Sequence, residues 1–82
     1  MRVNSIYEPR YQSIVLLLVK ARVSAGLTQE ELGKITGLSQ PDISKIEKFQ
    51  RRIDVLEAID WIRATNSQEL AVVARTLEPR HG

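Results

Sequence analysis

Apolar residues recur at helical spacing along most of the chain, and no useful stretch alternates as a strand would. This pattern predicts five helices, each bounded by residues that favour helix ends. The first is predicted over about 9–25, where Gly26 follows and ends it. The remaining four are predicted to begin at Thr28, Ser39, Asp54 and Ser67. The sequence therefore predicts a compact all-α fold of one domain over 1–82.

The second and third predicted helices are separated by a very short turn. Each opens on residues that cap a helix and lie three positions apart: Thr28 with Glu31, and Ser39 with Asp42. Gly37 ends the second helix. Two helices joined so closely must cross steeply, and Gly33 is the small residue that lets their backbones approach. The pattern predicts a helix-turn-helix over about 28–48.

The first turn of the third helix is polar, although Ile43 and Ile46 on the same helix are spaced for a core face. The segment TQEEL at 28–32, the turn GLS at 37–39 and the run ISKIE at 43–47 together resemble the helix-turn-helix of the lambda-repressor-like (Xre) DNA-binding domains. The resemblance extends back to Arg22 and Gly26 and forward through 51–56, which is about half of the chain.

The resemblance implies that the N-terminal end of the third helix meets base edges in the major groove. Base contacts are then expected from Gln40, Pro41, Ser44 and Lys45. The amide of Gln40 suits adenine, while the ammonium of Lys45 suits guanine or a phosphate. Phosphate contacts are expected from the helix starts and from the segment after the third helix: Thr28, Gln29, Ser39, Lys48, Arg51 and Arg52.

Several of these residues also have a purely structural interpretation. Capping alone would account for Ser39, and ordinary solvation would account for Lys45. Solvation would also account for Arg51 and Arg52, although no acidic run cancels their charge. Gln40 has neither a capping nor a core role at its position, so base contact is the better interpretation for it.

Two further residue positions follow from the resemblance. Arg22 and Glu47 match a partly buried ion pair that joins the first helix to the third in this family, and that role is structural. Phe49 stands where the family commonly turns on glycine. Because phenylalanine resists a positive φ, the sequence favours a different path for the loop after the third helix.

The last two predicted helices, over about 54–78, carry more apolar surface than the helix-turn-helix needs. This surface would be buried within one chain if the fifth helix folded back over the first. A symmetric homodimer would bury it between two chains, and it is the favoured arrangement because one such domain reads only a few base pairs. The residues predicted for the dimer interface are Trp61, Leu70, Val73 and Leu77.

Composition narrows the possible functions. The net charge of +2 does not by itself argue for nucleic acid, so the positions of the charges matter more. The sequence has no cysteine, and its one histidine is His81 near the end, so no catalytic residue, metal site or cofactor is expected. The apolar run at 14–19 is too short for a signal core or a membrane span, which favours a cytoplasmic protein.

The sequence thus predicts a transcriptional regulator that binds double-stranded DNA, a dimeric repressor acting at a pseudo-palindromic operator. An antitoxin or a restriction-modification controller would use the same fold. A helical protein-interaction module that has lost DNA binding is the alternative of another class, and Pro41, Asp42 and Phe49 favour it. No enzymatic activity and no small-molecule ligand are expected.

Overall fold

Four helices make up the part of the chain that the structure, a computed structural model, describes, residues 6–65. They are α1 (Pro9–Ser24), α2 (Gln29–Thr36), α3 (Gln40–Glu47) and α4 (Val55–Thr65). The predicted all-α class is confirmed. The predicted count of five is not matched within these residues, because the fifth helix was expected at 67–77, outside them. No helix among residues 6–65 is long and apolar enough to cross a bilayer.

The ends of these helices lie where the capping residues predict them. At α2, Thr28 Oγ1 accepts a hydrogen bond from the Glu31 N–H at 3.0 Å, and Glu31 Oε1 accepts one from the Thr28 N–H at 2.8 Å. At α4, Asp54 and Glu57 form the same reciprocal pair, at 2.8 and 3.1 Å. Gly37 ends α2 with a φ of 86°.

One apolar core lies between α1, α2, α3 and α4. Its largest fully buried side chains are Val15, Leu18, Leu32, Ile43, Ile46 and Trp61. The indole N–H of Trp61 donates to the Leu18 carbonyl at 2.9 Å, so even its polar atom is satisfied inside the chain. The prediction of Trp61 at a dimer interface is wrong, because α4 turns this residue inward and leaves none of its surface exposed.

The close crossing of α2 and α3 depends on Gly33. A Cβ atom placed on this residue would lie 2.5 Å from the backbone carbonyl oxygen of Leu38 and 3.6 Å from Cδ1 of Ile43. The first distance is shorter than any van der Waals contact, and a backbone atom cannot swing aside. Gly33 is thus a residue of close approach, as the sequence predicted, and the backbone that it meets is that of Leu38 in the turn before α3.

Phe49 takes the left-handed backbone conformation after α3, with a φ of 60°. The Gln50 N–H donates to the Lys45 carbonyl at 2.7 Å, and the Phe49 N–H donates to the Ile46 carbonyl at 3.1 Å. These two bonds form the helix ending that usually uses glycine at this position. The expected different loop path is therefore wrong. The half-buried ring of Phe49 packs against the core, and this contact offsets the backbone strain.

We expect Phe49→Gly to be more stable than Phe49→Ala, by about 1 kcal/mol in the free energy of unfolding. Both variants lose the ring, but alanine keeps the Cβ atom that opposes a positive φ. Urea denaturation of the two variants side by side measures the difference. An alanine variant as stable as the glycine variant would show that the left-handed conformation is not retained.

Candidate nucleic-acid interface

A hydrogen bond between two glutamines joins the first residue of α2 to the first residue of α3. Gln40 Nε2 donates to Gln29 Oε1 at 2.7 Å, and Gln29 Nε2 donates to Glu47 Oε1 at 2.9 Å. Because the ionised carboxylate of Glu47 only accepts hydrogen bonds, it determines which way the Gln29 amide faces. The Gln29 oxygen therefore points to Gln40 and holds the amide of that exposed residue in one orientation.

The inner end of this line of hydrogen bonds is an ion pair between α1 and α3. Arg22 Nε and Nη2 donate to the two carboxylate oxygens of Glu47 at 2.7 and 3.0 Å, and Arg22 Nη1 donates to the Leu27 carbonyl at 2.8 Å. The side chains of Arg22 and Glu47 are 15% and 9% exposed, so most of the pair is out of solvent. The carboxylate of Glu47, paired with Arg22, thus accepts the hydrogen bond that orients Gln29, and Gln29 in turn bonds to Gln40.

The outer face of α3 is polar and accessible. Gln40, Pro41 and Lys45 are exposed and Ser44 is half-buried, while Ile43 and Ile46 point into the core. Ser39 begins the helix, and its Oγ accepts a hydrogen bond from the Asp42 N–H at 3.1 Å. The N-terminal turns of α3 are therefore free of core packing on the side where a groove would lie.

Arg51 makes its contacts within the chain. Its Nη1 and Nη2 donate to the two oxygens of Glu57 at 3.0 and 2.9 Å, and Nη1 also donates to the Arg52 carbonyl at 2.9 Å. Its Nε lies 3.7 Å from Oδ1 of Asp42 on α3. The sequence analysis did not identify this pairing. The opposite charges of Arg51 and Glu57, on the two sides of the Asp54 cap, were the available signal.

The hydrogen bonds from Arg51 hold the pKa of the Glu57 carboxyl below its ordinary value, and the same bonds raise the pKa of Arg51. A carboxyl whose pKa is lowered by folding stabilises the fold above its ordinary pKa. This contribution is lost as the pH falls through the lowered pKa. At neutral pH the pair is therefore fully charged, and it stays so in mildly acidic solution.

Tyr11 supports the segment between α3 and α4. Its hydroxyl oxygen accepts a hydrogen bond from the Ile53 N–H at 3.0 Å, and the guanidinium carbon of Arg52 lies 5.1 Å from the centre of its ring. Sequence reasoning did not identify this role. The half-buried tyrosine on α1 needs a partner for its hydroxyl, and the backbone of residue 53 is that partner.

A family model described as helix-turn-helix matches residues 18–71. The match covers more than half of the chain, and it includes α2, the turn at Gly37 and α3. The chain belongs to the Xre, or lambda-repressor-like, helix-turn-helix family. A search of curated proteins gives no match. The family is one of DNA-binding regulators.

Within this family fold, most of the residues predicted to bind DNA are exposed on α3, at the helix starts or just after α3. Those that the structure leaves exposed are Thr28, Ser39, Gln40, Pro41, Lys45, Lys48 and Arg52, and those that are half-buried are Gln29, Ser44 and Arg51. Thr28 and Ser39 use their oxygens as caps, which leaves each hydroxyl hydrogen for another acceptor. The predicted dimer residues Leu70, Val73 and Leu77 lie outside the described residues.

Proposed function

We propose that this protein regulates transcription by binding double-stranded DNA sequence-specifically, with α3 in the major groove. The observation that carries the proposal is the exposure and hydrogen bonding of Gln40. It stands exposed at the first residue of α3, and the hydrogen bond to Gln29 fixes its amide. A side chain that is both accessible and already hydrogen-bonded is suited to reading a base edge, because less conformational entropy is lost when it binds.

The hydrogen bonding of Gln40 indicates which base it favours. One Nε2 hydrogen is used by Gln29, so the second hydrogen and the Oε1 atom stay available. Together they match the N7 acceptor and the N6 donor of adenine in the major groove. Pro41, Ser44 and Lys45 lie on the same exposed end of α3 and complete the proposed set of base contacts, with Lys45 suited to guanine.

Phosphate contacts in this proposal come from two places. Thr28, Gln29 and Ser39 lie at the N-termini of α2 and α3, where backbone N–H groups and the helix dipole attract anions. Lys48 and Arg52 follow α3 and add positive charge at its far end. Such contacts position α3 without reading sequence. Arg51 was expected among them, but its contacts with Glu57 and Asp42 support a different role.

We further propose that the protein acts as a homodimeric repressor at a pseudo-palindromic operator in the cytoplasm, with its C-terminal helices in the interface. Val55 and Leu56, at the start of α4, are 53% and 71% exposed, which is unusual for two adjacent large apolar side chains. The predicted interface residues Leu70, Val73 and Leu77 repeat at helical spacing downstream. Two copies would place two α3 helices on successive half-sites.

We expect the double substitution Val73→Asp with Leu77→Asp to convert a dimer into a monomer, because buried carboxylates oppose an apolar interface. Sedimentation velocity measures the change in mass. The double substitution Gln68→Asp with Thr76→Asp adds the same charge at polar positions of the same segment and should leave the dimer intact. A monomeric unsubstituted protein would contradict the proposed dimer directly.

Selection of bound sites from a random pool of duplex DNA tests the proposed function. We expect an enriched motif, and an affinity for it that falls steeply as salt rises, since phosphate contacts release counterions. An antitoxin or a restriction-modification controller with this fold would also enrich a motif, so the neighbouring genes distinguish these roles. A protein-interaction module would enrich none, and its affinity for a partner would depend weakly on salt. We propose no enzymatic activity and no cofactor.

A further inference from the structure

We propose that Arg51 is a positioning residue that screens the charge of Asp42 at the DNA-facing end of α3, and that it does not bind a phosphate. The inference rests on the proposed DNA binding and deepens it. It also departs from the expectation drawn from the sequence, in which Arg51 was one of the phosphate contacts.

Three of the five donors of Arg51 form hydrogen bonds within the chain. A guanidinium has five N–H groups. Nη1 uses both of its hydrogens, one toward Glu57 and one toward the Arg52 carbonyl, and Nη2 uses one toward Glu57. The Nε hydrogen belongs to the atom that lies 3.7 Å from Asp42. The two remaining N–H groups, on Nε and Nη2, lie on the edge that faces Asp42, so a phosphate held there by two hydrogen bonds would come close to a second negative charge.

Glu57 is itself held in place. It is the third residue of α4, its N–H donates to Asp54 Oδ1 at 2.8 Å, and its Oε1 accepts from the Asp54 N–H at 3.1 Å. The carboxylate therefore cannot follow Arg51 toward DNA without breaking the capping pair at the start of α4. The guanidinium is thus anchored on α4 while its Nε edge faces α3.

Asp42 is the acidic residue on α3 that Arg51 faces. It lies between Gln40 and Ser44 on α3, its side chain is 40% exposed, and a free carboxylate there would repel the phosphates flanking a major groove. Its carboxylate pairs with Arg51, and its backbone N–H bonds to Ser39. Although its paired bonds go to Glu57, Arg51 places positive charge 3.7 Å from Asp42, and this charge reduces the repulsion between α3 and DNA.

A double-substitution cycle tests this inference on the full-length chain. The four proteins are the unsubstituted chain, Arg51→Met, Asp42→Asn and the combination, and their affinity for a selected DNA site is measured by fluorescence anisotropy at several salt concentrations. We expect Arg51→Met to weaken binding by up to about fivefold, the upper range for exposed ion pairs. Adding Asp42→Asn should restore the affinity to within about twofold, because the released carboxylate on α3 is then gone and the other one, Glu57, stays bonded to the Asp54 N–H on α4.

Arg52→Met is the matched control, because it removes the same charge from the next residue in the chain. Its loss of affinity should be the same with and without Asp42→Asn, since Arg52 lies over Tyr11. Arg51→Lys is a second check, because it keeps a positive charge near Asp42 but loses the bidentate hydrogen bond to Glu57. This variant should bind DNA nearly as well as the unsubstituted chain. Melting curves show whether each variant is folded at the assay temperature.

Two results would overturn the inference. The first is an equal loss from Arg51→Met with and without Asp42→Asn, together with a salt slope reduced by about one, which would make Arg51 a phosphate contact. The second is full affinity for Arg51→Met, which would make the charge of Asp42 irrelevant. If the unsubstituted chain binds no duplex DNA even at low salt, the proposed function fails as well, so the two failures are distinguishable.

Discussion

Arg22→Ala is expected to lower the free energy of unfolding by about 3–5 kcal/mol, the usual cost of leaving one member of a buried ion pair alone. Arg22 donates two hydrogen bonds to Glu47 and a third to the Leu27 carbonyl. The Glu47 side chain is only 9% exposed in the intact pair, and without Arg22 it keeps only the hydrogen bond from Gln29. A domain of this size loses about 4–8 °C in melting temperature for each kcal/mol, so the fall should exceed about 12 °C.

The control for this prediction is Arg10→Ala. Arg10 also pairs with a glutamate, Glu8, but its side chain is 84% exposed, so the melting temperature should hardly change. A second comparison replaces both charges at once, as Arg22→Met with Glu47→Met. The double variant should be more stable than Arg22→Ala because no buried charge is left unpaired. A fall of only a degree or two for Arg22→Ala would show that the pair is effectively solvated.

The features predicted correctly from the sequence are those set by nearby residues. The caps at Thr28 and Asp54 each bond to a residue three positions away, so their spacing alone predicts where α2 and α4 begin. Gly37 ends α2 for a local reason as well, its positive φ. The ion pair of Arg22 and Glu47 spans 25 residues, and only the family resemblance pointed to it.

The sequence-based predictions that were wrong concern residues whose placement depends on tertiary packing. The periodicity of α4 allows more than one face to turn inward, and the observed packing buries Trp61, whose indole bonds to Leu18, 43 residues away. Phe49 shows the same effect on the backbone, because its contact with the core supports a conformation that its own propensity opposes. The link of Gln29 to Glu47 and Gln40 could not be predicted either, since it requires the relative placement of α2 and α3.

Gln40→Ala is expected to weaken binding to the preferred DNA site by about 1–3 kcal/mol, which is the range for a side chain that bonds a base edge with two groups. Preference should be relaxed at one base pair. Affinity for random DNA should hardly change, because the phosphate contacts of Lys48 and Arg52 are untouched. The fold should also be unaffected, since Gln40 is exposed and its hydrogen-bond partner Gln29 keeps its own bond to Glu47.

The deciding measurement is the ratio of specific to random-DNA affinity for the Gln40→Ala protein at one fixed salt concentration. Lys48→Ala is the matched control, because it removes an exposed charge after α3 and should weaken both affinities equally, with a salt slope lower by about one. Gln29→Ala should lower the ratio of specific to random-DNA affinity less than Gln40→Ala does and more than Lys48→Ala does. The Gln40 side chain remains in this variant, but its amide loses the bond to Gln29. A ratio unchanged by Gln40→Ala would mean that α3 does not read sequence through this residue, however well its amide is held.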